Sequence, residues 1–153
     1  MLLQHRSRRH LLLGLTLAPF VGLRTPSSAA QTAMPPQPAE RTKAAFLDRA
    51  RALRDQAVRE GDQPYGAVVV RNGAIVGEGR NFVVRDSDPT AHSELLAVRD
   101  AARRLGTRDL SDCDVYSTAT PCAMCQGALY WARVRRVYTE SVLDQGLAPK
   151  LGC

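Results

Sequence analysis

Asp88-Pro89-Thr90-Ala91-His92-Ser93-Glu94 and, further along, Pro121-Cys122-Ala123-Met124-Cys125 are the two stretches on which the reading of this chain turns. Each reads as the start of a helix. The first supplies turn and cap residues ahead of an amphipathic run, Leu95 to Leu105, with His92 and Glu94 in its first turn. In the second, Pro121 is suited to open a helix, where its fixed φ fits and its missing N–H is not needed. Cys122 and Cys125 are three apart, so on a helix they share a face one turn apart and both sulfurs reach one ion. Thiolates there are favoured by the unpaired N–H groups and the positive end of the helix dipole. One imidazole and two thiolates make three ligands, the number zinc takes when its fourth position stays open to water. Glu94 is then left free to move protons.

Working outward, Thr42 caps a helix running to Glu60, with Ala45, Phe46, Ala50, Leu53, Ala57 and Val58 roughly on one face and Gly61-Asp62 ending it. Ala67 to Val70 is a short apolar strand, Arg71-Asn72-Gly73 is a hairpin turn, and Ala74 to Phe82 returns as its partner, leaving Asn81 at the outgoing end. The His92 helix follows, then a third strand from Asp112-Cys113-Asp114 into Val115 to Thr118. The Cys122 helix and a fourth strand, Val134 to Thr139, come last. Strand-helix-strand connections favour parallel neighbours, and ligands gather where helices begin at strand ends. The expected fold class is α/β: a three-layer α/β/α sandwich with a mixed central sheet and a hairpin edge.

These residues resemble the cytidine and deoxycytidylate deaminase superfamily. Pro64-Tyr65-Gly66-Ala67 is similar to the Pro-aromatic-Gly-Ala turn that opens the first strand in its members, and Gly79-Arg80-Asn81 to their Gly-x-Asn. Leu105-Gly106-Thr107 and Ala128 to Arg133, with Tyr130-Trp131, look closest to the bacterial guanine deaminase branch. The resemblance spans roughly residues 42 to 140. It implies a cytidine deaminase-like fold and one zinc per chain on His92, Cys122 and Cys125. It also implies Glu94 as the proton carrier of a hydrolytic deamination that releases ammonia. Asn81 and Tyr65 would contact substrate. So would Ser93, which stands where an alanine is usual; Thr120 stands where a glutamate is common. The implied substrate is a small aminated base or nucleoside, guanine first, and relatives are usually homodimers. Guanine deaminases of this branch carry a longer C-terminal segment that returns over the pocket, whereas this sequence ends at Cys153.

Without the resemblance, duller readings stay open. A lone His92 is more often structural than a ligand, and Cys122-x-x-Cys125 alone suits a thiol-disulfide protein, though the Trp-Cys lead-in of such proteins is absent. An inactive zinc-binding module is a further alternative. Asn81 reads equally as a strand-end residue, and Tyr65 and Trp131 as core or rim aromatics. Within the resemblance, cytosine, another aminated heterocycle or tRNA adenosine are the alternative substrates. Cys113 reads as a buried thiol.

Residues 1–30 carry Arg6-Ser7-Arg8-Arg9-His10, an apolar run from Leu11 to Ala18, and Ser28-Ala29-Ala30. This is the pattern of a signal peptide cleaved after Ala30, and its arginine pair suits twin-arginine export to the periplasm or beyond. That route carries folded protein, so the metal would be bound before Cys122 and Cys125 meet an oxidising compartment. Residues 31–41 are proline-rich and read as a flexible linker, and 42–153 as the zinc-dependent domain. The formal charge of +6 includes Arg6, Arg8, Arg9 and Arg24, which leaves +2 for residues 31–153. That balance does not favour a nucleic-acid partner. After cleavage no membrane segment is expected; a leader retained as a membrane anchor is the alternative.

Overall fold

The computed structural model describes residues 33–151; the expected leader with its cleavage point, and Cys153, lie outside them. Helix α1 (Lys43–Arg59) starts at Thr42, whose hydroxyl accepts from the Ala45 N–H at 3.1 Å, the bond a capping oxygen makes. Strands β1 (Gly66–Arg71) and β2 (Ala74–Arg80) form a hairpin through Asn72 and Gly73, both at positive φ, which matches the twist of the paired strands. Helix α2 (Ser93–Leu105), strand β3 (Cys113–Ser117), helix α3 (Ala123–Trp131) and strand β4 (Arg136–Thr139) follow.

The sequence pattern predicts no strand after β4, yet β5 (Val142–Leu147) pairs antiparallel with it. None of its six residues is buried, so it has no alternating apolar pattern to read. Its position is set instead by edge pairing and by Gly146, where a Cβ would lie 2.8 Å from the Tyr138 ring.

The sheet order is β2-β1-β3-β4-β5. Strand β1 is antiparallel to both neighbours, while β3 and β4, joined through α3, are parallel. The other helix-linked pair, β2 and β3, also runs in one direction, but β1 has been placed between them. Strand β1 is therefore buried on both faces. Val68 and Val70 pack with Phe46 and Leu53 of α1, and Ala67 and Val69 with Ala97, Ala101 and Leu129 of α2 and α3. Each such valine or leucine contributes ~1.5–3 kcal/mol by leaving water. Helices on both faces make the expected three-layer sandwich with its mixed sheet.

Two glycines of β2 set the height of α2. A Cβ at Gly77 would lie 2.6 Å from the backbone of both Ala97 and Ala101, and one at Gly79 would run into the Ser93 carbonyl and the Ala97 nitrogen. Helix and strand thus meet backbone to backbone, which seats the first turn of α2 directly over the end of β2. Ahead of α1, Pro35 is buried, and the Gln37 amide donates to Ile75 O at 2.8 Å and accepts from Ile75 N at 2.7 Å. This part of the proline-rich segment lies against the outer edge of β2. Among the described residues, no helix is long and apolar enough to cross a membrane.

Candidate metal centre and active site

His92 is the N-cap of α2 and Cys122 the N-cap of α3, and neither makes a side-chain capping bond. A polar cap contributes about 1 kcal/mol; both helices do without it. Their cap side chains turn instead toward one another. Pro121 thus precedes α3 rather than opening it, because Cys122 takes the extended cap conformation, φ −69° and ψ 172°. Cys125 falls in the first helical turn. His92 Nδ1 lies 3.7 Å from Cys122 Sγ and 3.6 Å from Cys125 Sγ, and the three ligand atoms all lie within 4.8 Å of one another.

These distances suit zinc. A tetrahedral ion with bonds of about 2.3 Å to sulfur and about 2.0–2.1 Å to nitrogen needs nitrogen–sulfur edges of roughly 3.6 Å. Burial pushes the Cys125 thiol well above its ordinary pKa, with the charges of Glu94 and Cys122 adding to the shift. A divalent cation is the group that reverses such a shift. Cys113, Cys122 and Cys125 are all free thiols. Cys125 is fully buried, His92 half-buried and Cys122 exposed, so the ligand set has a closed side and an open one.

Beside the buried Cys125 is Glu94, 5% exposed. Its Oε1 accepts from the Ser117 hydroxyl at 3.0 Å and its Oε2 from the Ser93 hydroxyl at 3.1 Å, with Cys125 Sγ 3.7 Å from Oε2. A cleft of about 230 Å³ opens onto it, lined by Gln63, Tyr65 and Thr120 together with His92, Glu94 and Cys122. Tyr65, expected at the substrate, is at this rim, half exposed. Ser93, also expected there, is fully buried and does not line the cleft; its hydroxyl is on Glu94.

Asn81 is fully buried just beyond β2 and, like Ser93, is not among the residues that line the cleft; it lies behind Gln63, which does. Its Nδ2 donates to Asp62 Oδ1 at 3.0 Å and to Gln63 Oε1 at 3.2 Å. Its Oδ1 is the one buried side-chain polar atom without a partner among the described residues. An acceptor left so costs about 1–3 kcal/mol, which an incoming donor would recover. Burial pushes the Asp62 carboxyl up, but hydrogen bonds from the Arg85 and Gln63 N–H groups, the Asn81 amide and the Val84 N–H outweigh it and hold it below the usual range.

Asp62, Gln63 and Ser117 are the site residues that sequence reasoning misses. Asp62 reads as a helix terminator and Ser117 as one more strand residue. A larger concavity of about 630 Å³ lies elsewhere, at Tyr130, Trp131 and Arg133, and Trp131, 74% exposed, belongs there. It contains none of the clustered ligands, so chemistry rather than size locates the site.

The fold and site define a class, the α/β/α domains in which two helix starts present one histidine and two cysteines beside a buried glutamate. Residues 40–141 match the family model of the cytidine and deoxycytidylate deaminase zinc-binding region, and the chain belongs to that family. It is 48% identical over 94 residues to the guanine deaminase of Bacillus subtilis, covering 61% of this chain and 60% of that protein. The solved structure of the Bacillus protein superposes with a TM-score of 0.61 over 63% of this chain and 62% of that one, at 46% identity. A tRNA-specific adenosine deaminase of Aquifex aeolicus is 43% identical over 96 residues, 61% of this chain and 63% of that protein. The structure of guanine deaminase from Nitrosomonas europaea gives a TM-score of 0.63 at 27% identity, over 84% of this chain and 69% of that one. The alignments with the Bacillus and Aquifex proteins thus cover less than two thirds of those relatives' length.

Proposed function

We propose that this protein is a zinc-dependent hydrolytic deaminase of a free nucleobase or nucleoside, with guanine as the favoured substrate, holding one zinc per chain. The observation that carries this reading is the buried Glu94 carboxylate beside the His92, Cys122 and Cys125 triangle at the floor of an open cleft. Zinc held by His92, Cys122 and Cys125 would supply Lewis acidity at the cleft floor. Glu94 would take a proton from the attacking water and return it to the departing amine, so that ring amine and water become ring carbonyl and ammonia. Ser117 and Ser93 hold one carboxylate oxygen each and keep the group oriented through both transfers. Ser93 is thus assigned a positioning role. Tyr65 offers a ring at the rim for the base, and Asn81 an acceptor.

Guanine is favoured because of the Bacillus and Nitrosomonas relatives and the Tyr130-Trp131 match. The tRNA reading draws support from the Aquifex relative. A cleft of about 230 Å³ and a charge of +2 outside the leader favour a small ligand, since phosphate-rich partners are steered by basic surfaces. Incubating zinc-loaded protein with guanine, adenine, cytosine, their nucleosides and tRNA, with a chelated control, tests this. Ammonia from guanine is expected. Ammonia from none of them would remove the enzymatic reading, and inosine in tRNA alone would move it to tRNA editing. Export through the twin-arginine route is proposed as well, on the Arg8-Arg9 leader. Undiminished export of active protein after both arginines are changed to lysine would refute it.

A further inference from the structure

We propose that Asp62 is a positioning residue that fixes which end of the Asn81 amide is left unpaired, making Asn81 a hydrogen-bond acceptor for a substrate that reaches it. This rests on the deaminase reading. The two ends of an asparagine amide are alike in size and differ only in donating or accepting, so the neighbours decide its orientation. Asp62 Oδ1 at 3.0 Å and Gln63 Oε1 at 3.2 Å are both acceptors, and only the NH2 end satisfies them.

Asp62 is itself locked. Its Oδ1 also accepts from the Gln63 N–H at 2.8 Å, and its Oδ2 accepts from the Val84 and Arg85 N–H groups at 3.1 and 2.9 Å. One carboxylate therefore clamps the turn before β1 to the loop after β2, with Asn81 between. The Asn81 backbone is held too, its N–H donating to Tyr65 O at 3.1 Å. What remains is Oδ1, buried and unpartnered. A substrate that fits brings an N–H to it, from a ring imino or exocyclic amino group. One that brings only a ring acceptor would set lone pair against lone pair.

The test uses the full zinc-loaded chain with Asp62→Ala and Asp62→Asn, guanine as probe, and nitrogen-15 signals of the Asn81 side-chain amide. In the wild type the two amide protons should exchange slowly with water; in Asp62→Ala exchange should be roughly tenfold faster. KM for guanine should rise about tenfold while kcat changes less than about threefold and zinc content stays constant. Asp62→Asn, which keeps the size of the side chain, should fall between and serves if the alanine variant does not fold. A merely structural Asp62 would lower the active fraction at unchanged KM. Unchanged KM overturns the proposal. If the wild type releases no ammonia from guanine, the deaminase reading falls, and amide exchange alone then decides the role of Asp62: faster exchange sustains it and unchanged exchange ends it.

Discussion

The Ser117 hydroxyl donates to Glu94 Oε1 at 3.0 Å, joining the last residue of β3 to the first turn of α2. Both groups are buried, so neither finds water if the other is removed. Ser117→Ala should leave Oε1 unpaired, lower the unfolding free energy by about 1–3 kcal/mol and slow turnover roughly tenfold. Zinc content should stay constant. Denaturant titration and steady-state rates at equal zinc loading check this; wild-type turnover would show that the bond does not orient Glu94.

Glu94→Gln keeps the shape of the side chain and one accepting oxygen for Ser93 or Ser117, turns the other position into an NH2 donor toward its serine, and removes the carboxylate proposed to carry the proton. Zinc should bind as before, and kcat should fall by about 10²–10⁴, the range of general acid–base catalysis. Metal analysis and an ammonia assay on the same sample separate the two outcomes.

Zinc affinity should rise with pH. The Cys125 thiol is held protonated by burial and by the Glu94 and Cys122 charges, its pKa raised, so the ion must displace a proton to bind. Binding that releases protons weakens as pH falls. Competition against a chromophoric chelator at pH 6 and pH 8 should give the tighter constant at pH 8; equal constants would contradict it.

Gly79→Ala puts a methyl group where the Ser93 carbonyl and Ala97 nitrogen already stand. Helix α2 must lift or the strand must bend, at a cost of ~1–3 kcal/mol. Because His92 and Glu94 ride on that turn, activity should fall by more than the lost stability explains. Comparing the melting temperature with the rate per folded molecule tests this.

Cys113 should be inert. Burial first, then its hydrogen bond to Asp112, push its thiol up to about 12. It remains protonated through the physiological range and contributes no pH dependence to stability there. Iodoacetamide at pH 8 should leave Cys113 unlabelled in the folded protein and label it in urea, as mass spectrometry of peptides would reveal.

What could be read from the chain is what local spacing encodes. Cys122 and Cys125 meet because a helix turn is short, and the hairpin forms because Asn72-Gly73 accepts positive φ. His92 and Glu94 fall in one turn for the same reason. Ser117 reaches Glu94 only because β3 pairs with β1, a long-range choice that no short window contains. Asp62 reaches Asn81 because α1 and β2 end side by side. Strand β5 borders solvent and buries no residue, so pairing rather than patterning defines it. Resemblance alone assigns Ser93 to the substrate, whereas its buried hydroxyl donates to Glu94.

The Gln37 side chain imitates a neighbouring strand, donating and accepting at Ile75 as a peptide group would. An expression clone beginning at Thr42 would strip that imitation away and bare the rim of β2 to any extended segment from another molecule. Shortening the chain to Thr42 should therefore be read out as concentration-dependent self-association in light scattering.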